Sequence, residues 1–423
     1  MPGPAPSERI GVLSSLRIRN FRLLLLGTTL SNAAMWIQQV TLAWLVYDLT
    51  GSGTMLGTVN LVRSISSMGM IPISGILIDR MRRRRLLMIN NSWLCAISLA
   101  IGLLLVTGND QMIFILIFSF LAGVVTGMEN NLRQVLVFDL VPRSHTPNGL
   151  ALVQTGWSLM RSFGPAVGGF LLLLVSAGGN FLLQSSAYAL IVITVMRIQF
   201  PDRKPTATKS SALENIKEGI RYVIKGKETR TFMMMGFVLP LFIIPIFNIL
   251  PAIYAVEVFG DDSGRVLGFL MASVGVGGIA GGIVAASLGN LQRRGLLQLS
   301  SLFLLSVSLI CFAFSTSFPL ALFFLSLSGF FELIFLTTNQ TLLQLSIPDN
   351  MRGRVTSVVN LNVALMPVGG LIAGAGSDLL GGPKMITVVM AGVPIVIVLL
   401  VLIFSPTVRN YRLDQAMERR SGQ

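Results

Sequence analysis

Residues 75–85 read Gly-Ile-Leu-Ile-Asp-Arg-Met-Arg-Arg-Arg-Arg, so a glycine and an aspartate close one apolar run and an arginine cluster opens the next. The run before it covers 55–78 and the run after it 86–107. Crossing a bilayer takes roughly 20 predominantly apolar residues, and Lys and Arg collect in the loops that stay on the cytoplasmic side. The stretch therefore reads as a tight cytoplasmic turn between two membrane spans.

The rest of the chain repeats that design. Of its 423 residues 53% are hydrophobic and only 12% charged, against about a quarter charged in soluble domains. A membrane is the solvent that suits such a chain. Apolar runs fall at 22–46, 55–78, 86–107, 111–138, 149–175, 179–199, 229–257, 264–288, 295–315, 319–345, 355–378 and 384–405, which gives about twelve spans of the required length. Only Ser176, Ala177, Gly178, Gly179 and Asn180 separate the fifth from the sixth.

The cations test this topology independently. With both termini inside, 27 of the 32 Lys and Arg residues lie in cytoplasmic segments. Arg265 and Lys384 fall on the outer side, and Arg63, Arg133 and Arg161 lie within spans. The net charge of +14 is thus a topology signal rather than a nucleic-acid footprint. Met1 to Ser15 has no apolar core ahead of a cleavage site, so a cleavable signal is not expected. The organisation expected is a six-helix bundle over 1–199, a cytoplasmic linker over 200–228, a second six-helix bundle over 229–405 and a cytoplasmic tail over 406–423. The fold class is all-α integral membrane, placed in the cell (inner or plasma) membrane.

The two halves carry a trace of duplication. An offset of 206 puts Pro142 on Pro348, Gly164 on Gly370, Gly168 on Gly374 and Gly75 on Gly281. Parallel repeats of this kind place a transporter's substrate site near the bilayer midplane, between two halves that rock.

Several chemistries drop out. Cys95 and Cys311 lie in apolar runs and read as core residues, and the single His145 cannot assemble a metal cluster or a triad. No GxxxxGK[ST] loop is present, so an ATP-driven pump is disfavoured, and neither enzyme activity, cofactor nor metal is expected.

Charges inside a membrane are costly and mark function by default. Glu129 and Arg133 stand four apart on one face of the fourth span and can pair. Glu332 lies in the tenth span, within a turn of the position that repeats Glu129. A carboxylate there can carry a proton that an arginine or a substrate displaces, or it can be one arm of a structural salt bridge. Asn32, Met35, Trp36 and Gln39 form a stripe at helical spacing in the first span, which suits a cavity for an amphipathic organic ligand. Asn248, between Pro245 and Pro251, is the matching residue in the second half, and Asn339 adds an amide in the tenth span. Gly164-Pro165-Ala-Val-Gly168-Gly169 combines a helix-bending proline with glycines that permit close contact and sliding, or simply small-residue packing. Arg161 beside it is either a cavity cation or a structural pin.

The 75–85 stretch resembles the signature loop of the major facilitator superfamily, GxxxDRxGRR, with Arg82 in place of the second glycine. Arg133-Gln134, Asp139-Leu-Val-Pro142, Asn148, Arg161-Ser-Phe-Gly164-Pro165 and, in the second half, Asn339, Gln344, Pro348, Arg352-Gly-Arg354-Val355, Pro367 and Gly369-Gly370 look like the exporter branch that holds enterobactin exporters and macrolide efflux pumps. The resemblance implies that Gly75, Asp79, Arg80, Arg83 and Arg84 form a cytoplasmic gate with Asp139 as ionic partner. It also implies that the second and eleventh spans abut, so that Arg63 and Asp378 would form an outer gate. It associates the glycine motif with proton antiport. The function expected is secondary active export, coupled to protons, of an amphipathic organic compound such as a drug, macrolide or siderophore, by a monomer. A facilitator or importer of a small solute is the first alternative. A membrane scaffold that has lost transport is the second.

Overall fold

In hydrocarbon every backbone N–H and C=O must be satisfied within its own segment, so a chain of apolar runs this long folds as helices. The computed structural model describes residues 14–200, 212–261, 263–288, 291–348, 351–359, 364–409 and 411. The side chains of Gly75, Asp79 and Arg133 lie outside the described residues.

The first half comprises α1 (Arg19–Thr50), α2 (Gly53–Arg80), α3 (Arg83–Val106), α4 (Met112–Leu140) and α5 (Thr146–Met196). Two of the breaks have a local cause. Gly51 ends α1 in the left-handed region at φ 58°, and the Ser52 hydroxyl then accepts the Met55 N–H to start α2. Helix α5 runs for 51 residues but holds two crossings, because Ser176 alone leaves helical geometry, at φ 62° and ψ 177°. The loop expected over 176–180 is thus a one-residue kink. Directly after it, Gly178 packs on α3, where a Cβ would lie 2.8 Å from Val106 Cγ2.

A linker helix, α6 (Ala212–Lys225), joins the halves. The second half follows as α7 (Lys227–Val258), α8 (Arg265–Ser287), α9 (Arg294–Phe314), α10 (Phe318–Leu345), α11 (Arg352–Val359), α12 (Met366–Leu379) and α13 (Pro383–Phe404). With the two limbs of α5 counted separately, the described helices fall on the twelve apolar runs of the sequence, six in each half, α11 and α12 both on the eleventh. Among the described residues eight helical segments are long and apolar enough to cross a membrane by length and composition, α5 counting once. Helices α1 and α2 are as long, and they line the interior described below.

Helix α6 is a structured part of the segment expected only as a linker. Its Glu218 pairs with Arg354 of α11 at 2.7 Å, and Gly219 lets the α11 backbone approach at Arg354. Tyr222 reaches the Ser346 carbonyl, and burial pushes its phenol above the ordinary range.

The duplication is visible in the packing. In the first half α2 lies against Gly123 of α4, whose missing side chain leaves room for the Arg63 carbonyl. In the second, α8 lies against Gly329 of α10, which leaves room for the Val274 carbonyl. Gly123 and Gly329 are 206 apart, the offset already read between the halves.

Two helix pairs make the most extensive contacts between the halves, α5 with α8 and α2 with α12. They meet toward the end of the molecule that holds the 51–52, 107–111, 260–264 and 380–382 turns, here the far end. The arginine-rich turns at 81–85 and 292–294 lie at the opposite, basic end.

Candidate functional site

A cavity of about 220 Å³ opens between the halves. Helices α1, α2 and α4 line one side through Gln39, Asn60, Arg63, Ser64, Ser67, Met68 and Thr126. Helices α7 and α12 line the other through Ile244, Pro245, Asn248, Ile249, Met366, Pro367 and Gly370.

The α7 wall is shaped by its prolines. Pro240, Pro245 and Pro251 each remove a helical N–H, and the helix answers with wide turns at Leu239–Ile243 and Tyr254–Val258. Pro245 leaves the Leu241 carbonyl without its helical donor. Gly369 of α12 packs onto that carbonyl, and a Cβ there would also lie 2.7 Å from Pro245 Cγ. The paired glycines of α12 thus bring its backbone against the irregular part of α7.

The chemistry of the cavity is uneven. Arg63 donates from Nη1 to Gln39 Oε1 at 3.1 Å. The other polar lining groups, Asn60, Ser64, Ser67, Thr126 and Asn248, are neutral, and among the described residues no carboxylate lines the space. Asn60, Arg63, Ser64 and Ser67 stand at i, i+3, i+4 and i+7, so the helical spacing that singles out the α1 stripe would also have found this one.

A second polar contact lies in the interior, outside the cavity lining. Arg161, in the first limb of α5, donates two hydrogen bonds to Glu332 of α10, at 2.8 Å to Oε1 and 2.6 Å to Oε2. The Glu332 side chain is 3% exposed and that of Arg161 19%. The Trp157 ring lies under the guanidinium, 5.7 Å from Cζ, and Trp36 stands against Trp157 with ring centroids 6.5 Å apart. This pair bridges the two halves near the middle of their helices.

The glycine motif splits its contacts. Gly164 and Gly168 face α1, where a Cβ on Gly164 would lie 2.6 Å from Trp36 Cβ. Gly169 faces α8, where it would lie 2.8 Å from Gly268 Cα and from the Gly264 carbonyl oxygen. Above this crossing, Tyr47 of α1 donates to Glu257 of α7.

Other expected residues are placed as follows. Of the α1 stripe, Gln39 lines the cavity, whereas Asn32, Met35 and Trp36 are outside its lining. Asn248 lines it from the second half. Asn339 does not; it is buried against Gln298 of α9, which donates to its Oδ1. Glu129 is buried and accepts from Ser31 of α1 at 3.0 Å, while Arg133 lies outside the described side chains.

At the basic end, Arg83 forms an ion pair with Asp139, tying the start of α3 to the end of α4 within the first half. Arg84 donates to the Met196 carbonyl at 2.6 Å, and Arg80 closes α2 as an exposed side chain. Asp79 and Gly75 lie in the same turn, outside the described side chains.

The outer gate expected between Arg63 and Asp378 is not formed. Helices α2 and α12 do abut, but Asp378 accepts from Ser52 Oγ at 2.8 Å, Gly53 N at 2.7 Å, and Thr54 N and Oγ1 at 2.9 and 2.6 Å. It caps the N-terminal turn of α2 from the other half of the molecule. Arg63 lies nearly three turns further along, about 15 Å at the helical rise.

Residues 10–419 match the profile of the transmembrane secretion effector family. The chain belongs to that family. It is a major facilitator superfamily secondary transporter and a multi-pass integral membrane protein, as the signature turn and the duplicated halves had suggested. It is 25% identical over 356 residues to the staphyloferrin A transporter of Staphylococcus aureus, covering 82% of this chain and 86% of that one. It is 24% identical over 406 residues to the multidrug efflux pump Tap of Mycolicibacterium fortuitum, covering 92% and 97%. In fold it is similar to the D-xylose-proton symporter, with a TM-score of 0.71 at 13% identity over 95% of this chain and all of that one (100%). For a transporter of this superfamily, a cavity between the halves, closed by helix pairs at one end, is the arrangement alternating access requires.

Proposed function

We propose that this transporter exports an amphipathic organic compound in exchange for protons, with the basic end and both termini in the cytoplasm. The observation that carries the reading is the Arg161–Glu332 pair, which joins the halves in the interior. In this structure the far end is closed and the pair is made. Opening the far end separates α5 from α8 and α10, and a bare carboxylate is then free to take a proton from that side. Closing again returns Arg161 to Glu332, and guanidinium and proton compete for the same oxygens. The proton leaves toward the basic end as the far end shuts, while substrate moves the other way when it opens. The polar and apolar lining of the cavity supports an amphipathic cargo. The names of the two relatives, a transporter and an efflux pump, support export of small organic molecules.

The test is extrusion from proteoliposomes under an imposed pH gradient. Wild-type protein is expected to accumulate substrate against its gradient only while the pH gradient lasts, and Glu332→Gln to lose that dependence. Full gradient-driven extrusion by the Glu129→Gln/Glu332→Gln double variant would remove both carboxylates from the coupling.

A further inference from the structure

Arg63 carries a fixed positive charge into the middle of a membrane protein, and among the described residues its hydrogen-bond partner is the neutral Gln39 amide. The other interior arginine whose side chain is described, Arg161, has a bidentate carboxylate partner. Holding an uncompensated charge there is costly, and removing the cost requires an anion at the guanidinium.

Arg63 lines the cavity. Around it Ser64, Ser67, Asn248 and the second amide N–H of Asn60 can complete the shell of an anionic group, whereas the Thr126 hydroxyl already donates to the Ala122 carbonyl. The remaining wall is apolar, made by Met68, Ile244, Pro245, Ile249, Met366 and Pro367. A planar fork of N–H donors matches a carboxylate better than any neutral group. At about 220 Å³ the space is smaller than the roughly 300 to 1,000 Å³ of drug pockets, so the ligand is compact in this conformation.

From these observations we infer that the cavity is a carboxylate receptor: the transported compound is an organic acid with a compact apolar body, and Arg63 is the residue that recognises its carboxylate. This rests on the transport reading above and deepens it by fixing the charge of the substrate. It also gives Arg63 a binding role in place of a gating one.

The test uses matched ligand triplets, each a carboxylate, its primary amide and the corresponding primary amine, on naphthyl, indolyl and phenylalkyl bodies. Binding is read by thermal stabilisation and titration of the purified full-length protein. The carboxylate member is expected to bind about tenfold or more tightly than its amide, the size of one charge-assisted hydrogen bond. Arg63→Gln is expected to erase the difference while leaving amide binding in place, which shows that the variant is folded. Arg63→Lys is expected to keep part of it. Amides or amines that bind as well as the acids, or an acid preference that survives in Arg63→Gln, would overturn the assignment, and so would a panel in which no acid binds. The transport reading is judged separately, by whether the tightest binder of any charge is extruded under a pH gradient.

Discussion

Arg161 and Glu332 stand 171 residues apart in the chain and meet through two hydrogen bonds across the boundary between the halves. Each comes from the middle of a long helix, and each is held by its own half. Arg161 lies over Trp157, and α10 is pressed onto α8 where Gly277 and Gly281 admit the Ser326 and Phe330 carbonyls.

Breaking one side of such a pair strands a buried charge. Arg161→Met and Glu332→Gln are each expected to lower stability by about 3 kcal/mol, and the double variant by clearly less than the sum. Thermal unfolding of the purified protein in detergent measures this. Additive losses would show that the two side chains are not energetically coupled.

The far end closes by backbone contact between glycines. A Cβ on Gly268 would lie 2.8 Å from the Pro165 carbonyl oxygen and 2.9 Å from Gly169 Cα. Gly268→Leu is therefore expected to wedge α5 from α8 and favour the open far end, with Gly268→Ala intermediate. The readout is disulfide formation between Ser52→Cys and Asp378→Cys, whose native side chains touch at 2.8 Å. The yield should fall severalfold in the leucine variant, and an unchanged yield would mean that this crossing does not control closure.

Asp378 acts as a helix cap supplied in trans, accepting both backbone and side-chain donors of residues 52–54. Asp378→Ala should cost about 1 kcal/mol, the ordinary worth of an N-cap. Combined with Arg63→Gln, the effects should add to within about 0.5 kcal/mol, as for sites that share no partner. A larger coupling energy would restore the gate that the structure does not form.

The membrane spans, the basic turns and the duplication were legible because they are periodic and local. Arg83 with Asp139 was legible through the signature turn. What the sequence could not supply was register between distant helices. Arg63 and Asp378 do lie on helices that abut, but the offset along them depends on where Gly53 meets Gly374, which no spacing reveals. Glu332 and Arg161 each stood out as charges in apolar runs, yet their pairing depends on how the two halves dock. Asn339 reads as a cavity amide until α9 supplies Gln298. Helix α6 lies within a polar linker, and its docking through Glu218 and Gly219 onto α11 is a tertiary contact that no local pattern encodes.

We propose that protonation of Glu332 governs closure of the far end. It is tested most directly by pulsed electron-spin distances between labels at Asn109→Cys and Lys384→Cys, both exposed at that end and one in each half, with Cys95 and Cys311 replaced by serine. In wild type the distance distribution is expected to lengthen reversibly as pH falls, because protonation releases Glu332 from Arg161. In Glu332→Gln the long distances should dominate at every pH. A wild-type distribution that does not move with pH, or a Glu332→Gln variant that titrates like wild type, would contradict the account.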